Sequence, residues 1–193
     1  MMTLLNKAQD YLDMTRKLDF LGPLAIRFYL FVPFWMAGTR KWGSFESTAA
    51  WFGNPDWGLG LPFPTLMAAL ATGAEVFGAI ALLIGFATRW FSIPLIITML
   101  VAIFAVHWES GWYAIYPDTS NQAALMDQFM GWLKENVPLW HRDITQAGRP
   151  VLLQNGIEFA ATYLVMLVAL LFTGAGRYAS VDYWIAKYFR KQK

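Results

Sequence analysis

PTLMAALATGAEVFGAIALLIGF, residues 64–86, carries one ionisable side chain, Glu75, in an otherwise apolar run. A helix needs about 20 such residues to cross roughly 30 Å of hydrocarbon. Pro64 stands in the first turn, where a helix tolerates proline. Only Ala87-Thr88-Arg89 separate this run from the next, WFSIPLIITMLVAIFAVHW at 90–108. Two such runs joined by a tight turn read as a pair of membrane spans. Working outward, residues 20–39 form a third apolar run interrupted by Arg27, and 157–176 a fourth that opens at Ile157-Glu158 and closes at Gly174-Ala175-Gly176.

Composition agrees with this reading. Of 193 residues, 57% are hydrophobic and 15% charged, too apolar and too weakly charged for an ordinary soluble domain. The expected fold class is therefore all-α: one integral membrane four-helix bundle over 1–193, with spans near 20–39, 64–86, 90–108 and 157–176 and an outer insertion at 109–156. Ten Trp, eight Tyr and fifteen Phe, many near the ends of apolar runs, suit the headgroup level of a bilayer. The first run follows Asp10, Asp13 and Asp19 and contains Arg27. A signal peptide's short apolar region has neither feature, so the run is expected to be a retained span.

Basic residues orient the bundle. Lys7, Arg16, Lys17, Arg89, Arg177, Lys187, Arg190, Lys191 and Lys193 lie at the ends and in the 87–89 turn. The longer segments 40–63 and 109–156 hold only Arg40, Lys41, Lys134, Arg142 and Arg149. The positive-inside rule then places both termini and the 87–89 turn in the cytoplasm. Residues 3–18, with Leu4, Leu5, Ala8, Leu12 and Leu18 on one side, read as an interfacial amphipathic helix. The tail, with Val181, Trp184, Ile185 and Tyr188 opposed to Lys187, Arg190 and Lys191, reads the same way. In the insertion, Leu125, Phe129, Trp132 and Leu133 recur at helical spacing, which predicts a helix lying as an outer cap or packed on the bundle.

Ionisable groups inside lipid are costly, so each needs a partner or a purpose. Arg27 and Glu75, counted from the same side, differ in depth by roughly 6 Å at about 1.5 Å per residue. They form a candidate intramembrane pair, either a tie between helices or a polar floor for a substrate or proton site. His107 and Glu158 fall at one outer boundary. A histidine beside a carboxylate can relay protons, orient a quinone headgroup or ligate a metal, or it can simply face interfacial water. These two are the candidate catalytic residues, with Glu109, Tyr113 and Tyr163 as secondary candidates. Ala69-x-x-x-Gly73 and Ala74-x-x-x-Gly78 suit close helix approach.

Other chemistries fail on inventory. Zero cysteines remove disulfides, thiolate metal sites and iron–sulfur ligation. His141, the only other histidine, falls in the insertion, so bis-histidine haem is not expected. A structural zinc site lacks ligands, and the nine scattered Met read as helix filling rather than copper ligands. No phosphate-cradling glycine motif is present, so no nucleotide is expected. A net charge of +2 without a basic stripe gives no reason for nucleic acid.

Several short pieces, taken in order, carry a resemblance. They are Ala25-Ile26-Arg27-Phe28, Ala37-Gly38-Thr39-Arg40-Lys41-Trp42, Glu75-Val76-Phe77-Gly78, Leu83-Ile84-Gly85-Phe86-Ala87-Thr88-Arg89, Met99 to His107, and Gly174-Ala175-Gly176-Arg177-Tyr178-Ala179-Ser180-Val181-Asp182. Together they resemble the DoxX family of small four-span bacterial membrane proteins. The resemblance implies a four-helix bundle and, for some relatives, a place beside quinone-linked oxidoreductases, as in thiosulfate:quinone oxidoreductase. Other relatives are linked to oxidative-stress complexes or to maturation of exported redox proteins. Arg27 and Glu75 match the family's polar positions, and His107 the end of span three. The long insertion looks like the variant encoded beside proteins that make copper-binding ribosomal peptides, and it departs from the shortest members. Two functions are therefore expected in competition. One is a membrane subunit of a redox-linked complex handling quinone or protons. The other is a non-catalytic membrane partner for maturation, export or protection of a periplasmic or copper-binding product. Bilayer lipid and other membrane or periplasmic subunits are the expected partners, and quinone is the one cofactor suggested.

Overall fold

The computed structural model describes residues 2–189, and the fold is all-α. Helix α1 is Met2–Met14, α2 Leu21–Gly43, α3 Phe45–Gly53, α4 Pro64–Ile84 and α5 Thr88–Val101. Then come α6 Asn121–Asn136, α7 Pro138–Thr145, α8 Glu158–Thr173 and α9 Val181–Phe189. The helix α1 takes up most of the expected 3–18 segment, but the side chains of Leu4, Leu5 and Ala8 lie outside the described residues, as do Arg190, Lys191 and Lys193.

Among the described residues, three helical stretches are long and apolar enough to cross a membrane: Leu21–Gly43, Pro64–Ile84 and Thr88–Ser110. The fourth apolar helix, Glu158–Thr173, has 16 residues, about 24 Å at the α-helical rise. It stops at Thr173 because Gly174 and Gly176 both take positive φ, a conformation that ends a helix. The stretch 40–63, expected only as a connection, extends α2 to Gly43 and contains α3.

The chain forms two compact units, one from residues up to Leu100 together with those from Tyr163, the other Val101–Thr162. In the first unit α2 buries Arg27, Leu30, Phe34 and Gly38, spaced three and four apart on one face. The opposing face of α4 buries Ala68, Thr72, Glu75, Ala79 and Leu82. Gly38 brings the two backbones close: a Cβ there would sit 2.7 Å from Val76 Cγ2 and 3.1 Å from Glu75 Cβ. Gly78 does the same for α5, where a Cβ would meet Leu95 Cδ1 at 2.8 Å. Of the small-residue positions singled out in the sequence, Gly78 lies at a helix contact, whereas a Cβ on Gly73 would meet only Phe77 of its own helix. The Tyr163 ring of α8 lies 6.2 Å from Phe34 and 6.3 Å from Tyr29 of α2.

The second unit is built around the insertion. Ser120 caps α6 by accepting from Ala123 N at 3.1 Å. Pro138 opens α7, and Arg149 grips both Asp127 carboxylate oxygens at 2.7 Å. The base of the insertion is closed by backbone bonds from Tyr116 N to Leu152 O, Gly156 N to Tyr113 O and Ile157 N to Gly111 O. Beyond Val101 the helix loosens into a wider π-helical turn over Ala102–His107.

Candidate functional site: polar groups in apolar helices

Arg27 is 1% exposed. Its guanidinium donates four hydrogen bonds, all to backbone carbonyls: Nε to Leu82 O at 2.7 Å, Nη2 to Leu83 O at 3.0 Å, and Nη1 to Ala175 O at 2.8 Å and Ala179 O at 3.0 Å. Leu82 and Leu83 sit in the last turn of α4, where carbonyls lack intrahelical partners and the helix dipole favours a cation. Arg27 therefore caps α4 and ties it to the segment after α8. Four of its five N–H donors are spent on structure, and no hydrogen bond or ion pair joins Arg27 to Glu75 among the described residues. Depth matching brought the two within reach of one another, but the carbonyls at the end of α4 take the guanidinium first.

Glu75 pairs instead with Lys41, whose Nζ lies 2.8 Å from Oε1 and 2.7 Å from Oε2. The Glu75 side chain is 6% exposed and that of Lys41 26%. Helical side chains lean toward the N-terminus, so Lys41 reaches back over Gly38, one turn earlier, where no side chain blocks the path. The Thr72 hydroxyl, one turn before Glu75 on the same face of α4, is buried without a hydrogen-bond partner among the described residues. The cluster is a polar centre in an apolar helix pair, able to hold one positive and one negative charge in close register.

His107 ends the π-helical turn, half-buried. Its Nδ1 lies 2.8 Å from the carbonyl oxygen of Asn155. A carbonyl can only accept, so Nδ1 carries the hydrogen, and in the neutral ring Nε2 is left as an acceptor. Glu158 is also half-buried, and its Oε2 accepts from Ala114 N at 2.9 Å. No hydrogen bond or ion pair joins His107 to Glu158 among the described residues. Each is instead oriented by backbone from the base of the insertion. Tyr113 is exposed and belongs to the same base through its carbonyl. Glu109 is exposed in a short 3-10 turn, and Tyr163 sits in the first unit against Tyr29 and Phe34. No group of three or more His, Asp or Glu side chains that could hold a metal ion occurs among the described residues.

Two residues of these centres escaped the sequence reading. Lys41 stood in a cluster of charges beyond the expected end of span one. Asp182 was named only as the end of a short motif, yet its carboxylate accepts from Ala87 N at 2.6 Å and Thr88 N at 2.9 Å, capping the start of α5. Comparison with known proteins bears on the first three apolar runs. The DoxX family model matches residues 22–108, the stretch from the start of α2 through His107 and Trp108, in agreement with the family its motifs resemble. No curated protein and no solved structure matches the chain.

Proposed function

From the match of residues 22–108 to DoxX and the apolar helices of this membrane protein, we propose that the chain is a membrane subunit of a redox-linked complex, handling quinol at His107. In this reading α2, α4, the helix begun by α5, and α8 each cross a bacterial inner membrane, with both termini cytoplasmic and the insertion outside. The observation that carries it is the His107 ring. Its Nδ1–H is held by the Asn155 carbonyl, so the neutral imidazole offers Nε2 to a hydroxyl donor, and a quinol presents such a hydroxyl. Oxidation of a quinol releases two protons and two electrons. Nε2 takes one proton, the resulting imidazolium keeps its bond to Asn155, and Glu158 is the nearby type of group suited to the second. The electrons pass to an acceptor carried by a partner subunit, since a chain with no cysteine supplies no iron–sulfur ligand.

Quinol binding is measurable without the partner. Decylubiquinol should quench the fluorescence of the detergent-purified protein saturably, Trp108 being adjacent to His107 in sequence. In His107→Ala the loss of one hydrogen bond should weaken binding about two- to ten-fold, with the melting temperature unchanged. Equal affinity in parent and variant sinks the assignment.

That outcome turns attention to the second reading, a non-catalytic partner in maturation, export or protection of a periplasmic or copper-binding product. One observation favours it. Leu125, Phe129 and Trp132 of α6, and Leu139, Trp140 and Ile144 of α7, are at least half exposed, an apolar surface of the kind that partners cover.

A further inference from the structure

A cavity of about 630 Å³ opens where the chain turns from α4 into α5. Its walls include Trp90 and Ile93 of α5 and Ile185 and Phe189 of α9, with Arg89 and Asp182 as the charged members. The volume is that of an ordinary small-ligand site. The walls are mostly apolar, and one of them continues as a row that stays exposed among the described residues of the first unit. Trp90, Ile93, Ile97 and Leu100 are 77%, 43%, 56% and 38% exposed, and their spacing of three and four keeps them on one face of α5.

Arg89 supplies the other half of a site. Its Nε donates to Leu171 O, in the last turn of α8, at 2.8 Å. That bond fixes the guanidinium plane, while its two terminal nitrogens make no hydrogen bond among the described residues. Asp182 makes no hydrogen bond to them among the described residues, and its two oxygens accept instead from Ala87 N and Thr88 N.

We propose that this cavity holds one anionic phospholipid, its phosphate on the free guanidinium nitrogens of Arg89 and its acyl chain running along the Trp90–Ile93–Ile97–Leu100 row. An oriented guanidinium is suited to bidentate binding of phosphate oxygens. A row of uncovered apolar side chains about 15 Å long, at the helical rise of about 1.5 Å per residue, suits an acyl chain and offers nothing to a free inorganic anion. A net-negative headgroup keeps the full attraction of Arg89, which a zwitterionic headgroup partly forfeits.

The test is native mass spectrometry of the full chain, released from micelles holding equal amounts of phosphatidylglycerol and phosphatidylcholine. The parent should retain one phosphatidylglycerol in preference. Arg89→Gln should lower the phosphatidylglycerol-to-phosphatidylcholine ratio roughly five-fold, the factor for one basic contact at a membrane surface. Ile93→Trp, which keeps Arg89 and fills the cavity, should reduce retention of both lipids. Arg89→Lys keeps the charge without the Leu171 bond and should hold an intermediate ratio, so the reading stays testable if Arg89→Gln fails to fold. Equal retention of the two lipids by the parent, or an Ile93→Trp variant that retains phosphatidylglycerol like the parent, overturns the proposal. Loss of the bound lipid to excess inorganic phosphate also overturns it, because a site for the anion alone needs no acyl track.

Discussion

A lysine near the end of an apolar helix ordinarily turns its ammonium outward to water. Lys41 turns inward to Glu75, and the two charges satisfy one another at 2.7 and 2.8 Å. Taking charges out of water is expensive, and removing one partner leaves the other stranded. Lys41→Met should therefore destabilise the detergent-solubilised protein by about 3 to 5 kcal/mol, as for a broken buried pair. Lys41→Met combined with Glu75→Gln should recover most of that loss, because no charge is then stranded. Unfolding in a denaturing-detergent titration reads both, and a double variant no more stable than the single one contradicts an isolated pair. The sequence made Glu75 conspicuous, since it is the one charge in a 23-residue run, but hid its partner. Lys41 follows Arg40 at the edge of an apolar run, where a positive charge normally signals the water boundary. Only Gly38, one turn back, leaves the gap through which the side chain reaches inward. Arg27 was equally visible as a buried cation, yet its carbonyl partners could not be read, because a backbone oxygen at a helix end looks the same in every sequence.

Between helices, the device that sets the geometry is the turn from α4 to α5. Gly85 ends α4 with φ of +68°, and the N–H of Asp182 bonds its carbonyl at 2.9 Å. A Cβ at Gly85 would fall 2.7 Å from both Cζ and Nη2 of Arg27, so alanine there meets a steric conflict as well as backbone strain. Gly174 is a natural comparison: its φ is +75°, yet its Cβ would meet only the Arg89 side chain, Cδ at 3.9 Å and Cγ at 4.0 Å. Gly174→Ala should cost about 1 to 2 kcal/mol, the strain of a left-handed alanine. Gly85→Ala should cost clearly more, because it also displaces the guanidinium that caps α4. Melting temperatures of the two variants check this, and equal losses mean that the Arg27 contact contributes little. At this scale the long apolar elements were legible, and boundaries were not. Span one was expected to stop at residue 39, before Arg40 and Lys41, but α2 runs to Gly43 because Lys41 belongs to the buried face. The loosening of the helix over Ala102–His107 carries no glycine or proline to announce it.

For the molecule as a whole, composition spoke first and most reliably. The all-α class and the resemblance to DoxX followed from long apolar runs and short ordered motifs, and the family match covers residues 22–108. The arrangement at His107 and Glu158 was legible only as residue types: both were read as falling at one outer boundary, and each is held by backbone from the base of the insertion. Hydrogen bonds from loops 40 residues and more apart in sequence leave no local pattern to read. We propose that the chain crosses the bilayer four times with both ends in the cytoplasm, and that the insertion and His107 then lie on the outer side. The absence of native cysteine makes this directly measurable through single-cysteine variants Gln9→Cys, Gln128→Cys and Tyr188→Cys, all at exposed positions. They are treated in intact spheroplasts with a membrane-impermeant maleimide. Gln128→Cys should label in intact spheroplasts, and the other two only after the membrane is broken. Labelling of Gln9→Cys or Tyr188→Cys in intact spheroplasts, or protection of Gln128→Cys, contradicts it.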